Sequence, residues 1–176
     1  MFQNVSRDET LEWLKRYFSA YYDVNEYAAE HEPLMLRCDL HVNNQKYFLL
    51  KKNVVWEAGC HEYIYVFSLP KLTEEMYLAC QRLAYDAGMK LVDPVPGHMY
   101  TYITCIFLTD ETEPSAVKAL KKCRIRKSFR FSLRGWMEFH TALLNCSDGR
   151  TAANRGGREY AKLFNKFLKA KKEKES

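Results

Sequence analysis

The chain has 176 residues, of which 47% are hydrophobic and 28% are charged, and its formal net charge is +5. This length suits one domain with a sizeable core, and the composition is not that of a disordered, collagenous or membrane-spanning chain. None of the six cysteines stands in a Cys-x-x-Cys pair, and the first ten residues lack the apolar core of a signal peptide. We therefore expect a cytoplasmic protein with reduced cysteines and no membrane partner.

The charge is spread unevenly along the chain. Residues 1–32 hold three basic and seven acidic residues, so the net charge of this segment is −4. Residues 118–134 hold eight basic residues and no acidic one, so the net charge of that segment is +8. Either the acidic first segment neutralises the basic one within the molecule, or the basic one favours an anionic partner.

The first part of the chain predicts one helix and three strands. Ser6 and Glu9 form a capping box ahead of an amphipathic helix of about 20 residues, which ends before Pro33. Apolar and polar residues then alternate or form apolar runs over three segments, which predict strands at 34–42, 45–56 and 60–69. The third segment is apolar on both faces and is therefore expected at the centre of the sheet.

The rest of the chain predicts three helices and three strands. Thr73 caps a helix over 74–87 that Gly88 ends, and Pro114 stands in the first turn of a short helix. Strands are predicted at 98–108, 124–132 and 136–146, followed by a loop over 147–157 and a helix that begins near Arg158.

The predicted order of elements is α-β-β-β-α-β-α-β-β-α. This order indicates an α+β fold with a mainly antiparallel sheet of about six strands, packed by helices. We expect a single domain over residues 1–170 and a frayed basic tail over residues 171–176.

The segment Arg124–Arg134 has the most unusual charge pattern. If 124–132 is one strand, one face holds Arg124, Arg126, Ser128, Arg130 and Ser132, and Arg134 follows. Phe129 and Phe131 then point to the opposite face, away from the arginines. The pattern fits a half-buried strand that presents polar groups to water, and it also fits a basic face that binds phosphate or carboxylate.

A second candidate for anion binding is the loop Asn-Arg-Gly-Gly-Arg-Glu, residues 154–159. Glycines before a helix let backbone N–H groups approach an anion, and Arg155 and Arg158 would add positive charge. The loop lacks the glycine spacing of a phosphate loop or a dinucleotide fingerprint, so a flexible turn is the alternative.

Asp39, Glu57 and Glu62 are weak candidates for catalytic metal ligands. The predicted order α-β-β-β-α-β is similar to the core of restriction-endonuclease-like nucleases, in which an acidic residue and a Glu-x-Lys motif bind Mg²⁺. No lysine stands two positions after Glu62, so Lys51 or Lys52 would have to supply the amine. The hypothesis requires Asp39 and Glu62 to converge. The alternative is that Asp39 is solvated at the surface and that Glu62 makes a satisfied hydrogen bond. No histidine or cysteine pair has zinc spacing, and we expect no bound metal or cofactor.

Five segments together resemble a family of small uncharacterised proteins, a domain of unknown function, from clostridial-type bacteria: KYFLLKK, HEYIYVFSL, HMYTYIT, KSFRFSLRGWMEF and NRGGREYAK. The resemblance covers most of the chain from about residue 30 onwards. It implies a bacterial, cytosolic origin, and it implies no particular activity, cofactor or partner.

The sequence therefore predicts a non-enzymatic cytosolic binding or regulatory domain, with a basic face for an anionic ligand or nucleic acid. The alternative is a metal-dependent, nuclease-like hydrolase with a degenerate motif. An open edge in a sheet of short, aromatic-rich strands would also allow a homodimer.

Overall fold

The computed structural model describes residues 4–41 and 59–175 of the chain. In these residues a mixed β-sheet lies between two layers of helices. The elements in chain order are α1 Arg7–Ser19, β1 Asp23–Glu26, a short 3₁₀ helix Ala29–His31, β2 Leu34–His41, β3 Cys60–Leu72, α2 Glu74–Met89, β4 Tyr100–Thr112, α3 Pro114–Lys122, β5 Arg126–Ser128, β6 Trp136–Asn145, β7 Thr151–Ala153 and α4 Arg158–Glu175.

The described strands follow the order β1-β2-β3-β4-β6-β5, and β7 pairs with β6. Four of these strand pairs are antiparallel, whereas β3–β4 and β4–β6 are parallel. The predicted α+β fold with a mostly antiparallel sheet is confirmed in outline, but the centre of the sheet is parallel. Parallel neighbours need crossover connections, which α2 and α3 provide. Central strands that are apolar on both faces are typical of such an arrangement.

Successive side chains of a strand point to opposite faces, so the apolar central strands present apolar residues on both faces of the sheet. Helices bury both of these faces. We call these faces the α1/α4 face and the α2/α3 face. On the α1/α4 face, the two helices pack Leu14, Phe18 and Phe164 against strand residues such as Ile64 and Ile106. On the α2/α3 face, they pack Tyr77, Ala84 and Leu120 against Tyr65 and Phe107. None of the helices in the described residues is both long and apolar enough to span a membrane.

Helix α1 is shorter than predicted. Ser6 caps it as expected, with its Oγ accepting the Glu9 N–H at 3.0 Å, but the helix ends at Ser19. Residues 23–26 instead form the edge strand β1, which pairs with β2. Asp, Val and Asn have weak helix propensity, so pairing with the sheet decides the conformation of this segment. The predicted strand 45–56 lies outside the described residues.

The predicted strand 124–132 is wrong after Ser128, where β5 ends. The next residues include three with left-handed backbone angles, with φ of 46° at Arg130, 53° at Phe131 and 68° at Ser132. Non-glycine residues rarely adopt such angles, and three in succession reverse the chain. The arginines predicted to share one strand face are therefore separated: Arg124 precedes β5, Arg126 lies in it, and Arg130 lies in the turn that follows.

The predicted caps and starts of the later helices are confirmed. Thr73 accepts the Met76 N–H at 3.1 Å at the start of α2, and Pro114 begins α3. Helix α4 begins at Arg158 and continues to Glu175, which includes residues predicted to fray. The predicted loop 147–157 contains one short strand, β7, which pairs with β6.

Candidate functional site

Asn154 brings the two arginine-bearing segments together. Its buried side-chain amide uses two acceptor and two donor positions, and the four partners are the Thr141 N–H (3.1 Å), the Gly157 N–H (2.9 Å), the Cys123 carbonyl (3.1 Å) and the Phe139 carbonyl (3.0 Å). These bonds fix the chain after α3, strand β6 and the start of α4 around one side chain. Arg124 follows Cys123 and Arg155 follows Asn154, so the two basic segments, which the sequence suggests separately, are neighbours.

The two glycines after Asn154 allow α4 to start close to β6. A side-chain carbon on Gly156 would collide with the ring of His140, and one on Gly157 would collide with the Thr141 carbonyl. Close packing therefore requires glycine at both positions. This requirement accounts for the Gly-Gly pair without an anion.

Six arginines form what we call the arginine group: Arg124, Arg126, Arg130, Arg134, Arg155 and Arg158. Arg134 is half-buried, and the other five are exposed. None of the six forms an ion pair with another described residue. The acidic first segment does not neutralise them there, since Glu9 of α1 binds Lys171 of α4 and Glu26 binds Lys15.

A row of aromatic side chains lies beside β5 on the α1/α4 face. Tyr100 of β4 is the partner of Trp136 in β6. Glu138, the next residue of β6 on this face, is the partner of Arg126 in β5. The ring centroids of Tyr100 and Tyr102 are 4.6 Å apart, and those of Tyr100 and Trp136 are 5.7 Å apart. We call these three rings the aromatic row, and each is partly exposed. The Arg126 guanidinium carbon lies 5.1 Å from the centroid of the Trp136 ring, in a cation–π contact.

The turn between β5 and β6 presents two apolar side chains to solvent. Phe131 is 101% exposed and Leu133 is 83% exposed. The expectation that Phe129 and Phe131 share the apolar face is confirmed for Phe129, which packs against the core on the α2/α3 face, and is wrong for Phe131. The left-handed angles that begin at Arg130 turn the Phe131 side chain away from the sheet.

Glu62 is a buried carboxylate, 2% exposed, on the α1/α4 face of β3. The Tyr22 hydroxyl donates to its Oε2 at 2.8 Å, and the hydroxyls of Thr104 (3.0 Å) and Tyr160 donate to its Oε1. Burial and the nearby charge of Glu62 raise the pKa of Tyr22 and Tyr160 well above the usual tyrosine value, so both remain protonated donors. Glu62 thereby connects the chain after α1, and α4, to the central strand.

Glu62 and its three donors form what we call the buried polar cluster. His140 lies between this cluster and the start of α4. Its ring centroid is 4.3 Å from that of Tyr102, and its Nε2 is 3.8 Å from a Glu138 oxygen. Burial lowers the pKa of His140 below 6.5, although the charges of Glu62 and Glu138 oppose this shift. His140 is therefore neutral at pH 7, and it acts as packing for the Gly156 loop.

Asp39 and Glu62 do not converge. Asp39 lies on the α2/α3 face, where Arg37 donates to both of its oxygens at 2.9 Å, whereas Glu62 lies on the opposite face. Three residues of the nuclease hypothesis lie outside the described residues: Lys51, Lys52 and Glu57. Within residues 4–41 and 59–175, no group of three or more histidine, cysteine or acidic side chains is placed to hold a metal ion.

The sequence predicted a hydrogen-bonded Glu62 as the alternative to a metal ligand, but it did not identify the donors of Glu62 or the role of Asn154. An acidic residue inside the apolar strand of Glu62 is a visible signal, because a buried carboxylate needs donors. Its donors Tyr22 and Tyr160 come from distant parts of the chain and carry no such signal. Asn154 was noted only as part of a glycine loop, since nothing local marks an amide that bridges three segments.

Comparison with known families supplies one further finding. The family model described as "Domain of unknown function (DUF8052)" matches residues 6–166. Neither the curated proteins nor the solved structures include a significant match to this chain.

Proposed function

We propose that the chain, which belongs to the DUF8052 family of domains of unknown function, is a non-enzymatic binding or regulatory domain whose arginine group binds an anionic partner. The observation that carries this proposal is the exposure of the arginine group and its lack of ion pairs. Five of its six members are exposed, and none has a carboxylate partner among the described residues.

Electrostatics supports an external partner for these arginines. Residues 114–137 contain no acidic residue, whereas an ordinary soluble surface mixes both signs of charge. Like charges brought together in this way repel one another and oppose folding. A guanidinium group offers a planar set of N–H donors that matches the oxygens of phosphate or carboxylate. A polyanion would bind several members of the group at once.

The buried polar cluster supports the non-enzymatic part of the proposal. The oxygens of Glu62 accept three hydroxyl donors, and the carboxylate is almost inaccessible to solvent. This arrangement is suited to holding helices on a sheet. A general acid or base instead needs contact with a substrate proton.

We also propose that the domain lies in the cytoplasm of a bacterium, which is the origin that the sequence resemblance implies. All six cysteines are free thiols, and five are buried, which is compatible with a reducing compartment. A homodimer through an edge of the sheet is a further part of this proposal, because β1 and β5 are the outer strands of the described order. Sedimentation at two protein concentrations tests it.

The test of polyanion binding is a fluorescence anisotropy titration at several salt concentrations. The probes are labelled single-stranded DNA, duplex DNA and RNA, with inorganic polyphosphate as a competitor. We expect the logarithm of the affinity to fall linearly with the logarithm of salt, with a slope of about −0.7 to −0.9 for each phosphate contact. The double variant Arg126→Ala/Arg130→Ala should bind all probes more weakly and lower the magnitude of the slope by roughly two.

The matched control is the double variant Arg16→Ala/Arg82→Ala. It removes the same charge from two exposed arginines outside the arginine group. It should bind the probes nearly as the parent protein does. Absence of salt-dependent binding to every probe at low salt would refute the proposal, and so would an equal loss in both double variants.

A further inference from the structure

We propose that the anionic partner is a single-stranded nucleic acid, whose bases stack on Phe131 and on the aromatic row while its phosphates contact the arginine group. This inference rests on the proposed function and adds the class of ligand. It revises, for Phe131, the sequence-based expectation that this side chain points to the apolar face.

The position of Phe131 is fixed by the turn beneath it. The Phe129 N–H donates to the Gly135 carbonyl at 3.0 Å, and the Arg134 N–H donates back to the Phe129 carbonyl at 3.2 Å. The buried ring of His98 contacts the Arg134 carbonyl through Nδ1 at 2.6 Å, so the base of the turn is held against the start of β4. Phe131 therefore stands on an ordered support, although its ring is fully exposed.

Basic residues flank this exposed ring along the chain. Arg130 directly precedes Phe131, Arg134 lies three residues later, and Lys127 and Arg126 precede the turn. An exposed phenyl ring in a segment rich in arginine suits the chemistry of a nucleotide, which combines a flat base with a phosphate. A stacked base would also cover apolar surface that now contacts water.

The aromatic row extends the same chemistry along the sheet. Ser128 and Trp136 are opposite each other in β5 and β6, so the row lies on the same face as Arg126. Its rings are partly exposed and stand beside the Arg126 guanidinium. Proteins that bind single strands combine a basic track with aromatic platforms for successive bases, whereas a duplex keeps its base faces inside the stack.

A lipid surface is the competing partner for a basic turn with an exposed apolar tip. A bilayer would take up Phe131 and Leu133 alike, since insertion depends on buried apolar area and not on a flat π surface. It would make no use of the aromatic row, which lies on the sheet. The two partners therefore differ in what they require of Leu133.

The test measures the binding of a labelled oligothymidylate, a duplex of the same length and polyphosphate to three variants. Phe131→Leu keeps an apolar side chain but removes the aromatic face, Phe131→Tyr keeps the face, and Leu133→Ala is the control. We expect the parent to prefer the single strand, and Phe131→Leu to weaken single-strand binding about 5- to 100-fold. Duplex and polyphosphate binding should change little, and Phe131→Tyr and Leu133→Ala should bind like the parent.

Sedimentation with vesicles of phosphatidylglycerol and phosphatidylcholine completes the experiment. Equal affinity for single strand and duplex, with no effect of Phe131→Leu, would overturn the stacking inference and leave polyanion binding intact. Binding to no polyanion would overturn both proposals. Cosedimentation that Leu133→Ala abolishes, without preference for single strands, would identify a lipid surface and also overturn the inference. Each variant changes a solvent-exposed side chain, and unchanged thermal unfolding will show that the fold is intact.

Discussion

Asn154 should be among the most costly polar residues to replace in this protein. Asn154→Ala removes four hydrogen bonds and leaves the N–H groups of Thr141 and Gly157, and the carbonyls of Cys123 and Phe139, without these partners. At about 1 kcal/mol for each bond, we expect the free energy of unfolding to fall by about 4 kcal/mol. A domain of this size should then lose about 8–16 °C of melting temperature.

Urea unfolding followed by far-ultraviolet circular dichroism measures this loss. Asn154→Asp keeps the acceptor for both N–H groups but has no amide donor for the carbonyls, so it should also destabilise the fold. Asn165→Ala, at an exposed position on α4, is the control and should change stability by less than about 0.5 kcal/mol. A loss below about 1 kcal/mol in Asn154→Ala would refute the argument that this amide joins the three segments.

Two further predictions concern the buried polar cluster. Tyr160→Phe removes one donor to Glu62 and should lower the free energy of unfolding by about 1–3 kcal/mol, whereas Tyr85→Phe, at a partly exposed ring, should be nearly neutral in the same urea titration. The pKa of His140 is lower in the folded protein than its ordinary value of 6.5. Below about pH 6.5 the unfolded chain therefore binds more protons than the folded protein does, and the free energy of unfolding should fall as the pH falls. His140→Asn should flatten this decline in unfolding free energy measured between about pH 5 and 8; an unchanged decline would contradict the assignment.

Local signals in the sequence located the helices well. Ser6, Thr73 and Pro114 act on the first turn of their own helices, so their effect depends on neighbours in the chain. The strand of Glu62 was recognised because its apolar run is long. The end of α1 was missed, because the pairing of residues 23–26 with β2 is decided by a partner that local propensity does not contain.

The arrangement of strands and of the candidate site depended on distant contacts. A strand that is apolar on both faces can have parallel or antiparallel neighbours, so the α+β class of the fold was predicted but the parallel pairing at the centre of the sheet was not. The exposure of Phe131 follows from a turn with left-handed backbone angles. Arg130 and Ser132 are not residue types that favour such angles, so the sequence did not indicate the turn. The proximity of the segments that carry Arg124 and Arg155 depends on Asn154, whose hydrogen bonds join distant parts of the chain.

The position of α4 has a consequence for folding during synthesis. The ribosome completes all described strands, with α2 and α3, before it releases Arg158–Glu175. Until then the α1/α4 face lacks the side chain of Phe164, and Glu62 lacks the Tyr160 hydroxyl. A nascent chain can therefore bury the α2/α3 face early, but the part of the opposite face that α4 covers stays open to water and to chaperones until α4 has been synthesised.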